Sequence, residues 1–324
     1  MGIISTFCLL PTSKITVTAE ESRAECVMEL HSRRVLYESH GDTRLPMAST
    51  TKIVTAATVL ENCDDLQKAI SIPDSAVGIE GSSVYLKEGE MYTIEELLYG
   101  LMLRSGNDCA TALALYCAGS IFSFSALMNE TVQKAGALNS HFQNPHGLPA
   151  NEHYTTARDL TAISCYAMQN PFFRTIVSTR FYEAKGWHNK NKLLYSYDGA
   201  IGIKTGYTKE AGRCLVSSAT RDGLTLVCTV LNCPSMYERS QKLLNDAFSA
   251  YEYRPIVRSN QVFSVGSRKG FSREEFSYPL LKEEEGAIEY RVTPLSYAGN
   301  EEIIGVLEIT LAKRLLFSTN LYKL

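Results

Sequence analysis

The sequence predicts an α/β sandwich, in which helices pack on one antiparallel β-sheet, followed by a small β domain. Two short alternating apolar runs near the N-terminus indicate strands. The middle of the chain carries apolar residues at helical spacing, and long β runs return after residue 199. Because strands flank the helical region on both sides, we expect them to form one sheet that the helices cover.

The opening strands form a predicted hairpin over residues 24–38, with a polar turn at His31–Arg34. Helices are predicted from about Ser49 to Asn62, from Thr93 to near Gly106, from Asn107 to Cys117, from Thr156 to Met168 and from Ser240 to Tyr251. Thr93 with Glu96 has capping-box spacing, and Thr156 with Asp159 repeats it. The returning strands are Ala200–Lys204, Cys214–Ala219 and Leu224–Leu231.

Three regions follow from these patterns. Residues 1–19 form a candidate signal segment, truncated because no Lys or Arg precedes the apolar run Ile3–Pro11. The main domain covers residues 20–254. A small β-rich domain covers residues 255–324, because Pro255 begins a change to charged, strand-like segments such as Ile303–Leu311.

Charge and cysteine usage exclude several classes. The 32 basic and 35 acidic residues give a net charge of -3, so no basic surplus favours nucleic acid. The nine cysteines show neither a C-x-x-C pair nor zinc-finger spacing, which indicates a reducing or oxygen-poor setting and argues weakly against export. His141, His146 and His153 cluster without zinc-site spacing, and His146 suits a turn role. We predict no metal and no cofactor.

The segment Ser49-Thr50-Thr51-Lys52 places a hydroxyl and an amine three residues apart at a helix start, on one helical face. This pattern suits a serine nucleophile with a lysine base. A lysine of ordinary pKa is protonated at pH 7, so burial or a nearby cation must lower the pKa of Lys52. The alternative for this segment is an N-cap with a solvated lysine.

Two further motifs follow in order. Ser105-Gly106-Asn107 lies between two predicted helices and offers a hydroxyl and an amide; alternatively, glycine ends one helix and Asn107 caps the next. Lys204-Thr205-Gly206 ends a predicted strand with the lysine facing a cleft; alternatively, that lysine is solvated at a strand end. Together, a helix start, an interhelical loop and a sheet edge indicate one site.

This motif set resembles the active site of penicillin-binding proteins and serine β-lactamases. Longer stretches narrow the resemblance to serine D-alanyl-D-alanine carboxypeptidases of the low-molecular-mass penicillin-binding class. They are GSSVYLKEGEMYTIEELLYGLMLRSGNDCATALA (81–114), NPHGL (144–148), HYTTARDL (153–160) and IGIKTGYT (201–208). The resemblance covers about residues 20–255 closely and the rest loosely. It implies a sandwich of the β-lactamase/transpeptidase type.

The resemblance also implies roles for single residues. Ser49 would attack the carbonyl between two D-alanines with Lys52 as base, and Ser105 would relay a proton. Substrate-binding residues would be Asn107, Lys204, Thr205, Gly206, Tyr207 and Arg239. Backbone N–H groups of Ser49 and Tyr207 would form the oxyanion hole. Tyr207 stands where some relatives carry histidine. Arg239 matches a carboxylate-binding arginine, with a surface helix arginine as the alternative.

The implied partners are peptidoglycan stem peptides, with β-lactam antibiotics as covalent inhibitors, and the implied location is extracytoplasmic. The segment Ile309–Leu324 either contacts a membrane peripherally or forms a final strand and frayed tail. Two other functions stay open: a non-catalytic penicillin-binding wall protein, and a β-lactamase or esterase. The β-lactamase fits less well, because Gly106 stands where class A enzymes carry aspartate, and no glutamate between Asn107 and Lys204 lies in a motif that matches their deacylating glutamate.

Overall fold

The computed structural model describes residues 23–295 and 302–324. Their contacts form two units, a larger one that extends to Ala247 and a smaller one that begins at Phe248. The expected boundary was Pro255, so the division lies a few residues earlier. The candidate signal segment, residues 1–19, lies outside the described residues.

The larger unit contains both helices and strands. Its strands are β1 (Ala24–Glu29), β2 (Val35–Ser39), β3 (Ala69–Ser71), β4 (Met91–Thr93), β5 (Phe181–Tyr182), β6 (Trp187–His188), β7 (Ala200–Thr208), β8 (Gly212–Arg221) and β9 (Leu224–Leu231). Its α-helices are α1 (Lys52–Asn62), α2 (Ile94–Tyr99), α3 (Asn107–Ala118), α4 (Ile121–Lys134), α5 (Ala157–Ala167), α6 (Pro171–Ser178), α7 (Leu193–Ser196) and α8 (Met236–Ala250), the last of which crosses the division. Short 3₁₀ turns occupy Ala48–Thr51, Asp74–Ala76 and Glu183–Lys185.

The main sheet has the strand order β2-β1-β9-β8-β7, and every neighbouring pair is antiparallel. The N-terminal hairpin therefore joins the strands that follow the helical region, as predicted. Strand β7 forms one edge and extends to Thr208, beyond the predicted end at Lys204. The register places Tyr207 of β7 opposite Arg213 of β8.

Helices cover both faces of this sheet. Helix α5 packs on β1 and β9, where the Thr161 hydroxyl donates to Thr229. Successive side chains of β1 point to opposite faces of the sheet, so Ala24 and Cys26 point into the core on the face that α5 covers. Glu25 points to the opposite face and binds Arg239 of α8. Helix α1 has its first eight residues buried and lies at the centre of the helical layer.

Local capping signals define several helix starts. The predicted box at Thr93 and Glu96 is present in full, with both reciprocal hydrogen bonds. Thr156 accepts from the Asp159 backbone N–H at the start of α5. The predicted Asn107 cap is wrong, because Gly106 occupies that position and Asn107 is the first helical residue. Helices α4, α6 and α7 are absent from the prediction.

The smaller unit is built from strands. They are β10 (Tyr251–Val257), β11 (Val262–Val265), β12 (Arg268–Ser272), β13 (Phe276–Leu281), β14 (Ile288–Pro294), β15 (Ile303–Leu311) and β16 (Arg314–Lys323), with a 3₁₀ turn at Lys282–Ala287. Five of them pair in the order β11-β12-β16-β15-β14, and β10 pairs with β13. Leu307, Ile309 and Leu321 are buried in its core. The final segment is therefore a strand that contributes to a packed core.

Among the described residues, no single helix has the length and apolar composition needed to cross a membrane. Within the described part of the chain, only α3 and α4 taken together have that length and composition, and the pair is bent by 88°. Both helices supply core residues, such as Leu113 and Phe124, which are fully buried. Burial in the protein core accounts for their apolar composition.

Candidate active site

Ser49 lies in the 3₁₀ turn Ala48–Thr51, directly before α1. The turn is held from one side by the loop at residues 144–148. A side chain at Gly147 would come within 2.0 Å of the Ala48 carbonyl oxygen, so only glycine allows this approach. The Thr51 hydroxyl lies 2.9 Å from His153 Nε2. These contacts fix the backbone that presents the Ser49 hydroxyl.

Lys52 is completely buried one helical turn after Ser49. Its Nζ lies 3.1 Å from Ser49 Oγ, 2.7 Å from Asn107 Oδ1 and 2.6 Å from the His146 carbonyl oxygen. All three partners are neutral. Burial, and next the charge of Lys204, holds the pKa of Lys52 well below its ordinary value. The solvated-lysine alternative is therefore wrong, and the structure meets the requirement for a lysine base.

The second motif reaches this lysine through the start of α3. Helix α2 continues into a π-helical turn, Gly100–Arg104, which ends at Ser105 in the left-handed conformation with φ of 64°. Asn107 is buried, accepts from Lys52 through Oδ1 and donates through Nδ2 to the Glu80 carbonyl oxygen. Ser105 and Asn107 are thus brought beside Ser49 and Lys52.

A buried carboxylate orders the neighbouring loop. Asp108 is fully buried and accepts from the Ser83 hydroxyl and from the backbone N–H groups of Val84 and Leu86. Asn107 N–H donates to the Ser82 carbonyl oxygen in the same segment. These hydrogen bonds hold residues 82–86 against the start of α3, and they fix the position of Ser82.

The third motif lies on the edge strand β7. Gly206 packs against the Ser49 turn, and a side chain there would meet Met47 O at 3.0 Å and Ser49 N at 3.1 Å. Lys204 is only 2% exposed, and Nζ donates to the Thr205 carbonyl oxygen. Burial, and next the charge of Lys190, lowers the pKa of Lys204 to about 7. The solvated alternative for Lys204 is also wrong.

These elements enclose a pocket of about 600 Å³. Its lining residues are Ser49, Ser82, Ser105, Lys190, Thr205, Gly206, Tyr207, Arg213, Met236 and Tyr237. Among the described residues that line it, Lys190 and Arg213 are cations and none has a carboxylate side chain. A pocket of this composition suits an anionic ligand that reaches a serine hydroxyl.

The predicted substrate-binding role of Arg239 is wrong. It lies outside the pocket lining and is 4% exposed, so it is neither a surface arginine nor a pocket residue. Its Nε and one terminal nitrogen bind the two carboxylate oxygens of Glu25, each at 2.6 Å. The sequence did not reveal this pair, because 214 positions separate the partners along the chain.

The histidine cluster has structural roles. His146 supplies its carbonyl oxygen to Lys52, and His153 bonds Thr51 and accepts from the Gln143 N–H. Burial lowers the pKa of His146 to about 4 and that of His153 to about 3, so both rings are neutral at pH 7. Among the described residues, no group of three or more His, Cys, Asp or Glu side chains could hold a metal ion.

Five lining residues were not predicted: Ser82, Lys190, Arg213, Met236 and Tyr237. Ser82 carried a signal, since it stands in the stretch 81–114 that bears the family resemblance. Arg213 becomes visible only from the β7–β8 register. Lys190 lies in a segment without strand or helix signals, and Nζ donates to the Ser82 hydroxyl at 3.2 Å.

Comparison with known proteins identifies the family of this chain. A sequence profile described as D-alanyl-D-alanine carboxypeptidase, peptidase family S11, matches residues 12–235. The chain belongs to this family. The D-alanyl-D-alanine carboxypeptidase of Streptomyces sp. (strain K15) is 41% identical over 242 residues, which cover 66% of this chain and 82% of the relative. DacF of Bacillus subtilis (strain 168) is 31% identical over 283 residues, which cover 82% of this chain and 72% of the relative.

Among solved structures, the D-alanyl-D-alanine carboxypeptidase DacD from Francisella tularensis superimposes with a TM-score of 0.73 at 25% identity. The match covers 99% of this chain and 96% of that one. The predicted family, fold type and class of serine hydrolase are confirmed. In this D-alanyl-D-alanine carboxypeptidase, Ser49, Ser105 and Thr205, one residue from each of the three motifs, line one pocket.

Proposed function

We propose that Ser49 and Lys52 perform the carboxypeptidase reaction, removing the terminal D-alanine from peptidoglycan stem peptides. One observation carries the assignment of roles: Lys52 is fully buried within 3.1 Å of Ser49 Oγ, and its hydrogen-bond partners are neutral. A buried amine without a counter-charge favours its neutral form, which can accept a proton. Ser49 is the hydroxyl that faces both this amine and the pocket.

The steps balance with these residues alone. Lys52 accepts the Ser49 proton as Oγ attacks the carbonyl carbon between the two D-alanines. The proton passes through the Ser105 hydroxyl to the amine of the departing D-alanine as the peptide bond breaks. Water then attacks the acyl-enzyme, gives its proton to Lys52 and releases the shortened peptide, while Ser49 regains a proton. The backbone N–H groups of Ser49 and Tyr207 stabilise the oxyanion.

Substrate recognition depends on the cationic side of the pocket. Thr205 and Arg213 lie diagonally across the β7–β8 pair on one face of the sheet, so the arginine side chain can reach toward the threonine. We assign the terminal carboxylate of the substrate to Thr205 and Arg213, with the charge of Lys204 beneath them. Arg213 thus takes the role first expected for Arg239. Asn107 holds the peptide amide beside Ser105.

The arrival of that carboxylate has an electrostatic consequence. The pKa of Lys204 is lowered to about 7, so a neighbouring anion favours its charged form. A charged Lys204 in turn favours the neutral form of Lys52, since the charge of Lys204 already contributes to the lowered pKa of Lys52. Substrate binding therefore prepares the base.

Family membership supports a peptidoglycan-related substrate and β-lactam binding. The finer proposals are stem pentapeptides as substrates and a location outside the cytoplasmic membrane. The larger unit holds every lining residue of the pocket, which supports residues 20–254 as the catalytic domain.

Intact mass spectrometry after incubation with benzylpenicillin tests the assignment of Ser49. We expect a long-lived adduct on the parent chain and none on Ser49→Ala. Ser123→Ala, which changes an exposed serine at the start of α4, should keep the adduct. Release of D-alanine from a stem pentapeptide should follow the same pattern.

Two other results would support the alternatives. A parent chain without an adduct, in a folded state by circular dichroism, indicates a non-catalytic wall protein. Rapid release of hydrolysed benzylpenicillin indicates a β-lactamase. An adduct that persists on Ser49→Ala would overturn the assigned nucleophile.

A further inference from the structure

Two cysteines meet at the far end of the helices that carry the site. Cys63 directly follows α1, and Cys117 lies in the last turn of α3. Their Sγ atoms are 3.2 Å apart. The starts of the same helices meet through Lys52 and Asn107, whose side chains are hydrogen-bonded.

This cysteine pair differs from the other described cysteines in its exposure. Cys63 and Cys117 are both partly exposed, whereas the remaining described cysteines are buried. Burial raises the pKa of thiols such as Cys165 and Cys228 and makes them unreactive. Only the 63–117 pair, among the described residues, therefore combines access to solvent with a sulfur partner in contact.

The two thiols also differ from each other. The hydrogen bond from Cys117 lowers the pKa of Cys63, while the pKa of Cys117 is raised by the same contact and by burial. Each thiol is placed to resolve a mixed disulfide formed on the other, because the two sulfurs are in contact. Thiol–disulfide exchange needs such a neighbouring thiol to complete the bond.

We propose that Cys63 and Cys117 form a disulfide by exchange with a disulfide-bearing oxidant, and that this bond fastens α1 to α3. The thiolate of one cysteine attacks one sulfur of the oxidant, forms a mixed disulfide and releases the first thiol. The other cysteine then loses its proton and attacks the protein sulfur of that mixed disulfide, releasing the second thiol. The protein pair is oxidised by two electrons, and the oxidant is reduced to two thiols.

The bond should stabilise the larger unit and leave its chemistry unchanged. The cysteines are 54 positions apart, so the bond removes many conformations from the unfolded chain. The sulfurs already touch, so closure requires only a small movement. Helix α1 has 11 residues, which places Cys63 about 16 Å from its catalytic end. This inference goes beyond the proposed function and does not depend on it.

The test uses the full chain incubated with oxidised glutathione under native conditions, then alkylated and digested without reduction. We expect a peptide pair that links Cys63 to Cys117. The melting temperature should rise by about 5 °C or more and return with dithiothreitol. The rate of acylation by a fluorescent penicillin should stay within about twofold.

Single variants test the pairing. Cys117→Ser and Cys63→Ser should each lose the linked peptide pair and the thermal shift, and glutathione that reacts with the remaining thiol should stay attached. Cys8→Ser leaves both partners in place and should still form the linked pair. Stable glutathione adducts on both wild-type cysteines, a link to any other cysteine, or a linked protein with an unchanged melting temperature would overturn the proposal.

Discussion

Two buried cations in the larger unit have opposite environments. Arg239 of α8 is 4% exposed and binds both carboxylate oxygens of Glu25 at 2.6 Å. Lys52 of α1 is fully buried and contacts only neutral oxygens. The pair with Glu25 raises the pKa of Arg239, while burial lowers the pKa of Lys52.

The difference shows how burial serves either structure or chemistry. A buried charge is expensive unless a counter-charge and hydrogen bonds compensate it. Arg239 has that compensation and is fixed as a cation between a helix and the sheet. Lys52 lacks it and is driven toward its neutral form, which is the form a base needs. Stability is thus given up at the site and retained at the ion pair.

The largest effect is expected at the uncompensated cation. Lys52→Met removes the base, so the rate of acylation by benzylpenicillin should fall about a thousandfold or more. The variant should remain folded, since methionine needs no counter-charge. Stopped-flow or mass-spectrometric acylation kinetics measure this effect, with Lys134→Met, an exposed lysine outside the pocket, as control. Acylation at the parental rate would show that another group accepts the Ser49 proton.

Breaking the ion pair between Arg239 and Glu25 should lower the stability of the protein. Glu25→Gln leaves Arg239 buried without its counter-charge, and the free energy of unfolding should fall by about 3–5 kcal/mol. Acylation below the melting temperature should stay near the parental rate. Denaturant unfolding measures the loss, and the double variant Glu25→Leu/Arg239→Met should recover most of it. A variant that keeps its stability but loses acylation would place the pair in the catalytic machinery.

Lys204 extends the comparison to pH. Its pKa is lowered to about 7 in the folded chain and is ordinary in the unfolded chain, so the unfolded state binds more protons between pH 7 and about 10.5. The destabilisation is complete below pH 7 and disappears above the ordinary pKa. Stability relative to Lys204→Met should therefore rise with pH, by on the order of 2 kcal/mol between pH 7 and pH 9.

Denaturant unfolding of both proteins across that range measures this difference. Lys204→Met should also be the more stable protein at pH 7, while D-alanine release is lost. A stability difference that does not change with pH would show that Lys204 keeps its ordinary pKa when folded.

Arg213 tests which arginine receives the substrate. Arg213→Gln should raise KM for a peptide that ends in a free D-alanine carboxylate about tenfold, since one charge-assisted hydrogen bond is lost. An analogue with an amidated C-terminus should bind parent and variant alike. Steady-state kinetics on the two peptides, one with a free and one with an amidated C-terminus, measure this difference. Equal losses on both substrates would indicate a structural role for Arg213.

The smallest effect is expected at Lys190, an exposed cation whose charge is screened by solvent. Its charge contributes to the lowered pKa of both Lys52 and Lys204. Lys190→Ala should raise the pKa values of Lys52 and Lys204. Because the base Lys52 must be neutral, the acid limb of the pH profile of acylation should move to higher pH. Activity at pH 7 should fall less than about tenfold. A limb that moves to lower pH would contradict the assigned electrostatics.

The sequence predicted much of this site because its motifs are local. Ser49 and Lys52 are three residues apart at a helix start, so spacing alone aligns their side chains. Ser105 and Asn107 are two residues apart beside a helix start, so the sequence also keeps them close together. The capping box at Thr93 and the N-cap at Thr156 also depend on residues close in sequence. The role of Arg239 could not be predicted in this way. Its partner Glu25 is distant in sequence, and the position of Arg239 in the chain does not show which way its side chain points.

What the sequence determined by itself were the helix starts, the alternating strands and the three motifs, since each depends on contacts within a few residues. Only the tertiary structure decided which groups are buried and which face the pocket. The neutral surroundings of Lys52, the pairing of Arg239 with Glu25 and the meeting of Cys63 with Cys117 all join distant segments. Burial and counter-charge are properties of the packed chain, and they set the pKa values on which the chemistry depends.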